Sequence, residues 1–167
     1  MGVEGVDFGA SGRNGGQVGT VQRIGQDDLE GLVDLARARS LWDLSLESVS
    51  LVRNLIAKHD LDCGWSDGII EADHRAKNVP QSHEYADKLR NEYDYDMIRP
   101  VGRDEMRSLV GSSAYYGGTL DMGGGHIHPL RFALGLARAA RDAGVRIHER
   151  SQVTSVTPDG KVSTDQA

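Results

Sequence analysis

The sequence predicts a mixed α/β protein. Apolar residues recur at helical spacing through the first half, and an alternating stretch follows a second helix near the C-terminal end. Between them lie glycine clusters where the chain changes character. The 167 residues include 21 glycines, about 13% against a background of about 7%. Such enrichment marks tight turns and places where backbone must approach a ligand closely.

Gly9, Gly12, Gly15, Gly16, Gly19 and Gly25 lie among short polar residues, so residues 1–25 read as loop. A helix follows, opened by Asp27 with Glu30 three residues on, the spacing of a capping box. Leu29, Leu32, Val33 and Ala36 recur at helical spacing, and Val49, Val52, Leu55 and Ile56 do so again. No Gly or Pro interrupts residues 32–58, which predicts one long helix or two abutting ones. The pattern breaks around Gly64, and Ile69-Ile70 suits a short strand. Residues 82–95, carrying Glu84, Asp87, Glu92 and Asp94 with Asp96 just beyond, suit a solvated helix stopped by Pro100. A short helix over 104–110 precedes Gly111.

From Tyr115 the chain turns glycine-rich, through Gly117-Gly118 and Gly123-Gly124-Gly125 to His126-Ile127-His128-Pro129. Pro129 fits a first helical turn. Leu130, Ala133, Leu134, Ala137 and Ala140 mark one helix face, with Gly144 placed to end it. Residues 145–149 alternate as a half-buried strand. Val153 and Val156 continue in extended form, and Pro158-Asp159-Gly160-Lys161 turns the chain into Val162-Ser163-Thr164.

Composition excludes several classes. A lone cysteine, Cys63, forms no intrachain disulfide framework and no Cys-rich zinc module. No apolar run approaches the ~20 residues that span a bilayer. A net charge of −6 without basic clusters argues against nucleic acid and anionic membranes. A soluble, cytoplasmic protein is expected.

Residues 9–17, Gly-Ala-Ser-Gly-Arg-Asn-Gly-Gly-Gln, carry the most chemical information. Glycines at 9, 12, 15 and 16 let the backbone turn and present N–H groups to an anion. Ser11 and Asn14 add neutral donors, and Arg13 adds a charged fork suited to phosphate. A flexible loop with an incidental arginine has the same composition. Neither a phosphate-binding P-loop nor a G-x-G-x-x-G fingerprint occurs in the chain. His126 and His128 lack a third metal ligand at a recognisable spacing, so no metal is expected; they serve as acid/base groups or as a helix entry bonded to backbone. Trp42, Trp65, Tyr115 and Tyr116 line a pocket or fill the core, Asp121 pairs with a cation or shapes a turn, and Cys63 reads as a buried thiol. Nothing in the spacing singles out a catalytic residue.

The string at 9–17, taken with Gly-His-Ile-His-Pro at 125–129, resembles the FAD-dependent oxidoreductases of the glycine/D-amino-acid oxidase superfamily, and within it the gamma-glutamylputrescine oxidoreductase branch. The helix and strand of residues 130–140 and 143–149 are similar to that branch, as are residues 51–56 followed by 59–63. The resemblance covers nearly the whole chain. It implies an α/β fold made of a partial FAD-binding Rossmann-like domain plus part of the substrate domain. Residues 1–25 would be a glycine-rich flavin loop, 26–128 the helical and substrate-domain part, and 129–167 the return helix and strands of the FAD domain. The N-terminal βαβ unit with its fingerprint and the C-terminal half would be missing, which reads as an interior fragment.

The resemblance further implies FAD as cofactor, with Ser11, Gly12, Arg13, Asn14, Gly15 and Gly16 as its contacts and Val153 meeting the adenine end through its backbone. The reaction it implies is hydride transfer from an amine-bearing carbon to the flavin, giving an imine that hydrolyses. The partner would be a small amine or amino acid, with gamma-glutamylputrescine one candidate. The alternative is a truncated, non-catalytic remnant that binds no flavin by itself. An acidic interaction domain unrelated to flavin would leave the glycine-rich string to chance.

Overall fold

A computed structural model describes residues 5–6, 8–20 and 22–165, with helices and strands mixed along the chain. The fold separates into two compact units, the first formed by Met1–Gly16, Arg53–Trp65 and Ile127–Ala167 and the second by Gln17–Val52 and Ser66–His126.

The second unit is built on an antiparallel sheet whose centre is β4, Gly117–His126. It pairs with β1 (Gln17–Val18), β2 (Ser66–Asp73) and β3 (Ile98–Val101). Val18 faces Gly125, Ile70 faces Leu120, and Pro100 faces Thr119. The Ile69-Ile70 strand is therefore eight residues long, and the glycine-rich stretch after Tyr116 is the central strand. Its glycines admit neighbouring protein atoms: a Cβ at Gly118 would lie 1.9 Å from Glu71 O, and one at Gly124 would lie 2.9 Å from Val18 O. The close approach that the glycine content predicts is, in this strand, an approach of the protein to itself.

Helix α1 covers Gln26–Leu32 and α2 covers Leu35–His59, so the long apolar pattern is two abutting helices. Asp34, at φ 147°, separates them, and its Oδ1 accepts from Arg37 N at 2.9 Å, which caps α2. The capping box expected at Asp27 and Glu30 does not form. The helix starts one residue earlier, at Gln26, so the N-cap is Gly25, which has no side chain, and Asp27 lies inside the first turn; Glu30 bonds Lys88 and Tyr93 instead. Helix α3, Val79–Tyr93, ends with Asp94 in a left-handed conformation at φ 53°, well before Pro100. Pro100 lies in β3, which among the described strands pairs with β4 alone, and an edge strand tolerates the missing N–H. Helix α4, Arg103–Val110, stops at Gly111. The core of this unit is Trp42, Ala86, Leu89, Tyr93, Tyr95 and Ile98, with Trp42 edge-on to both tyrosines. The acids of 84–96 are exposed, as a solvated face requires.

The first unit holds a 3₁₀ turn at Ala10–Gly12, the end of α2, helix α5 (Pro129–Asp142) and a hairpin of β5 (Val153–Val156) with β6 (Val162–Thr164). Pro129 occupies the first turn of α5, and Gly144, at φ 89°, follows its end. Residues 145–149 are irregular and exposed, not a strand. Alternation sets which face a strand buries, but a strand also needs a ladder partner, and no described strand of this unit pairs with them. No helix among the described residues is long and apolar enough to cross a membrane.

Candidate functional site

The glycine-rich segment folds onto itself through one side chain. Asn14 Nδ2 donates to Ala10 O at 3.0 Å and to Ser11 O at 2.9 Å, while Asn14 Oδ1 accepts from Gly16 N at 2.8 Å. Arg13 N closes the turn on Ala10 O at 3.1 Å. The loop so formed exposes Ser11, Arg13, Asn14 and Gly15, half-buries Gly12 and buries Gly16. The Arg13 guanidinium lies over the Phe8 ring, 4.2 Å from its centre, a cation–π contact that holds the charge at the surface.

Gly16 anchors this loop to the entry of α5. Ile127 N donates to Gly16 O at 2.9 Å. Gly16 has φ 75°, and a Cβ there would lie 2.0 Å from Ile127 O. Glycine meets both demands at once, the left-handed backbone and the close approach. The two strings that carried the resemblance thus meet in space. The next residue, His128, donates its backbone N–H to Cys63 O at 2.7 Å. Its imidazole Nδ1 accepts from Arg131 N at 3.4 Å and caps α5. Of the roles open to the histidines, His128 takes the helix-entry role; His126 is exposed at the end of β4. No group of His, Cys, Asp or Glu among the described residues is arranged to hold a metal. Cys63 is fully buried, and that burial pushes its thiol pKa up.

Ser11, Gly12, Arg13, Asn14, Gly15 and Gly16 are therefore one loop. Val153 stands on another element, exposed at the start of β5 and opposite Thr164. Sequence reading missed Phe8 and Ile127, the residues that hold Arg13 and Gly16. Their signal was adjacency, Phe8 beside the first string and Ile127 inside the second.

The loop keeps the Arg13 guanidinium exposed, a charged donor suited to the oxygens of an oxygen-rich or anionic ligand, and a Cβ at Gly9 would meet nothing within 4 Å. It does not supply the G-x-G-x-x-G turn that would hold a pyrophosphate.

The second unit holds two polar clusters. Asp121 accepts from Tyr95 Oη at 2.6 Å, Thr20 Oγ1 at 2.8 Å and Gly123 N at 2.8 Å. Lys88 sits among Asp27 (2.7 Å), Glu30 (2.9 Å) and Glu92 (3.5 Å). Burial opposes its charge, but Asp27 and Glu30 outweigh that and raise its pKa. The Tyr93 hydroxyl, bonded to Glu30 at 2.5 Å, and Lys88 lower the Glu30 pKa. These carboxylates are satisfied structural partners, and Asp121 thereby pairs with neutral donors rather than a cation.

Residues 3–166 match the family model described as FAD dependent oxidoreductase. A relative from Haemophilus influenzae, named Probable oxidoreductase OrdL, is 32% identical over 151 residues, which are 90% of this chain and 35% of that protein. Gamma-glutamylputrescine oxidoreductase of Escherichia coli K12 is 32% identical over 151 residues, again 90% of this chain and 35% of that protein. The chain thus spans about a third of the length of these curated relatives. Glycine oxidase from Geobacillus kaustophilus superposes with a TM-score of 0.68 at 18% identity, over 95% of this chain and 42% of that one. That likeness shows the fold.

Proposed function

The chain belongs to the FAD-dependent oxidoreductase family, and from that premise we propose that it carries the flavin-facing loop of an enzyme oxidising a small amine or amino acid. Ser11, Gly12, Arg13, Asn14, Gly15 and Gly16 line the cofactor in this reading, and the backbone at Val153 meets its adenine end. Residues 1–25 serve as the flavin loop, 26–128 as the helical and substrate-domain part, and 129–167 as the return helix and strands of the FAD domain. The substrate class is that of the relatives' names, with gamma-glutamylputrescine the specific candidate. FAD, when bound, supplies the acceptor for the hydride. The chain's own part is to orient it: Arg13 offers a positive charge to its oxygen-bearing edges, and Gly16 fixes the loop in place.

The single observation behind this reading is the Gly16–Ile127 junction, which seats one end of the loop while Arg13 stays exposed. To test it, FAD is added to the purified chain, excess is removed, and the visible spectrum is recorded. Retained flavin bands support the proposal. A colourless, folded protein overturns it for this chain and supports a second reading, a remnant that binds no flavin by itself. The exposed valines at 145, 153, 156 and 162 favour that second reading, since they leave the return segment without cover.

A further inference from the structure

Asn14 uses its carboxamide entirely on its own loop. Its two N–H donors have two carbonyls to serve, Ala10 O and Ser11 O, and its oxygen takes the N–H of Gly16. A group committed in this way has no donor left for a ligand. Arg13 is one residue away, exposed, with its guanidinium held over Phe8. A glycine-rich segment loses much conformational entropy when it is ordered, and that loss opposes binding unless the free protein is already ordered. The three bonds of Asn14 tie residues 10, 11 and 16 together before any ligand arrives.

We propose that Asn14 is a positioning residue: its carboxamide presets the loop so that Arg13 meets the cofactor, and it does not itself hold the cofactor. The proposal rests on the reading of this loop as flavin-facing, and it narrows the contact role expected of Asn14 from sequence to an action through its neighbour. The bond from Gly16 N to Asn14 Oδ1 exists without ligand, so that half can be read with no flavin present.

The test uses the full chain as wild type, Asn14→Ala, Arg13→Ala and the double variant. Hydrogen exchange at the Gly16 amide, the urea unfolding midpoint and the Kd for FAD from flavin-fluorescence quenching are measured for each. Asn14→Ala is expected to speed Gly16 exchange at least about fivefold, the value of one ordinary hydrogen bond, with little change in the midpoint. It is expected to weaken FAD binding by a similar factor. In the Arg13→Ala background the same substitution should change Kd less than about twofold, because the residue through which it acts is gone. Fully additive losses of affinity would show that Asn14 touches the cofactor directly and would overturn the proposal. So would unchanged Gly16 exchange in Asn14→Ala, whatever the flavin does. If the wild type holds no FAD while Gly16 exchange still responds, the flavin reading fails and takes the cofactor half of the proposal with it; the loop tie alone stands.

Discussion

The Tyr95 hydroxyl donates to Asp121 Oδ1 at 2.6 Å, in a space that exists because residue 123 is glycine. A Cβ at Gly123 would lie 1.9 Å from that hydroxyl oxygen and 2.8 Å from the ring carbon bearing it. Tyr95 is buried beside Trp42, so it has little room to retreat. Gly123→Ala should therefore destabilise the protein by about 2 kcal/mol, the usual range for overpacking. Tyr95→Phe should cost on the order of 1–2 kcal/mol by removing a bond to a charged acceptor. Combined, they should cost less than their sum, because the phenylalanine removes the atom that the alanine strikes first. Urea denaturation of the three variants measures this; strict additivity would mean the clash is relieved elsewhere.

Gly16→Ala combines a left-handed backbone with a Cβ placed against Ile127 O. The expected loss is on the order of 2–3 kcal/mol. Flavin retention, where the wild type shows it, should fall along with stability, since the same junction seats the loop. A variant as stable as the wild type would show that the loop can leave Ile127 at no cost.

Arg13→Ala tests the charge separately from the fold. The side chain is exposed, and among the described residues its guanidinium contact is the one with Phe8. Unfolding midpoints should stay within the experimental scatter of wild type, while FAD affinity falls about tenfold or more, as expected for loss of a charge-assisted bond. Unchanged affinity would remove Arg13 from the cofactor-binding set.

Glu30 gives the protein a defined acid sensitivity. The bond from Tyr93 and the ion pair with Lys88 hold its pKa below the ordinary value of 4.5. A carboxyl shifted this way stabilises the fold fully above its ordinary value, and the contribution is lost as pH falls through the folded value. Glu30→Gln should thus lower the urea midpoint near neutral pH and narrow the gap to wild type as the solution is acidified below about 4.5. A gap independent of pH would mean that shape, not charge, is what Glu30 contributes.

Cys63 should be slow to react. Its burial raises the thiol pKa, so both access and thiolate fraction are low. Labelling with a thiol reagent at mildly alkaline pH should be at least about tenfold slower in the native protein than in urea. Equal rates would place residues 61–63 in a segment that opens readily.

The sequence by itself determined the local elements. Apolar spacing marked α1 and α2, and the proline and glycine flanking 129–144 marked α5. Turn residues at 158–161 marked the β5–β6 hairpin, and the string at 9–17 marked the loop. These are local signals, set by side-chain periodicity and backbone freedom within a few residues. Tertiary structure decided the rest, because the partners are distant in the chain. Asp27 and Glu30 form no capping box because the helix starts at Gln26 with Gly25 as its N-cap, and both acids bond Lys88 across the fold. The glycines of β4 lie in the central strand because β1, β2 and β3 pair with it, and a Cβ at Gly118 or Gly124 would strike Glu71 O or Val18 O. Residues 145–149 alternate correctly and still form no strand, since a ladder needs a second segment. The resemblance implies Asn14 as a cofactor contact; only the tertiary structure shows its exposed side chain bonded to Ala10, Ser11 and Gly16 of its own loop. Burial and hydrogen bonding between distant residues choose among the conformations that local sequence leaves open.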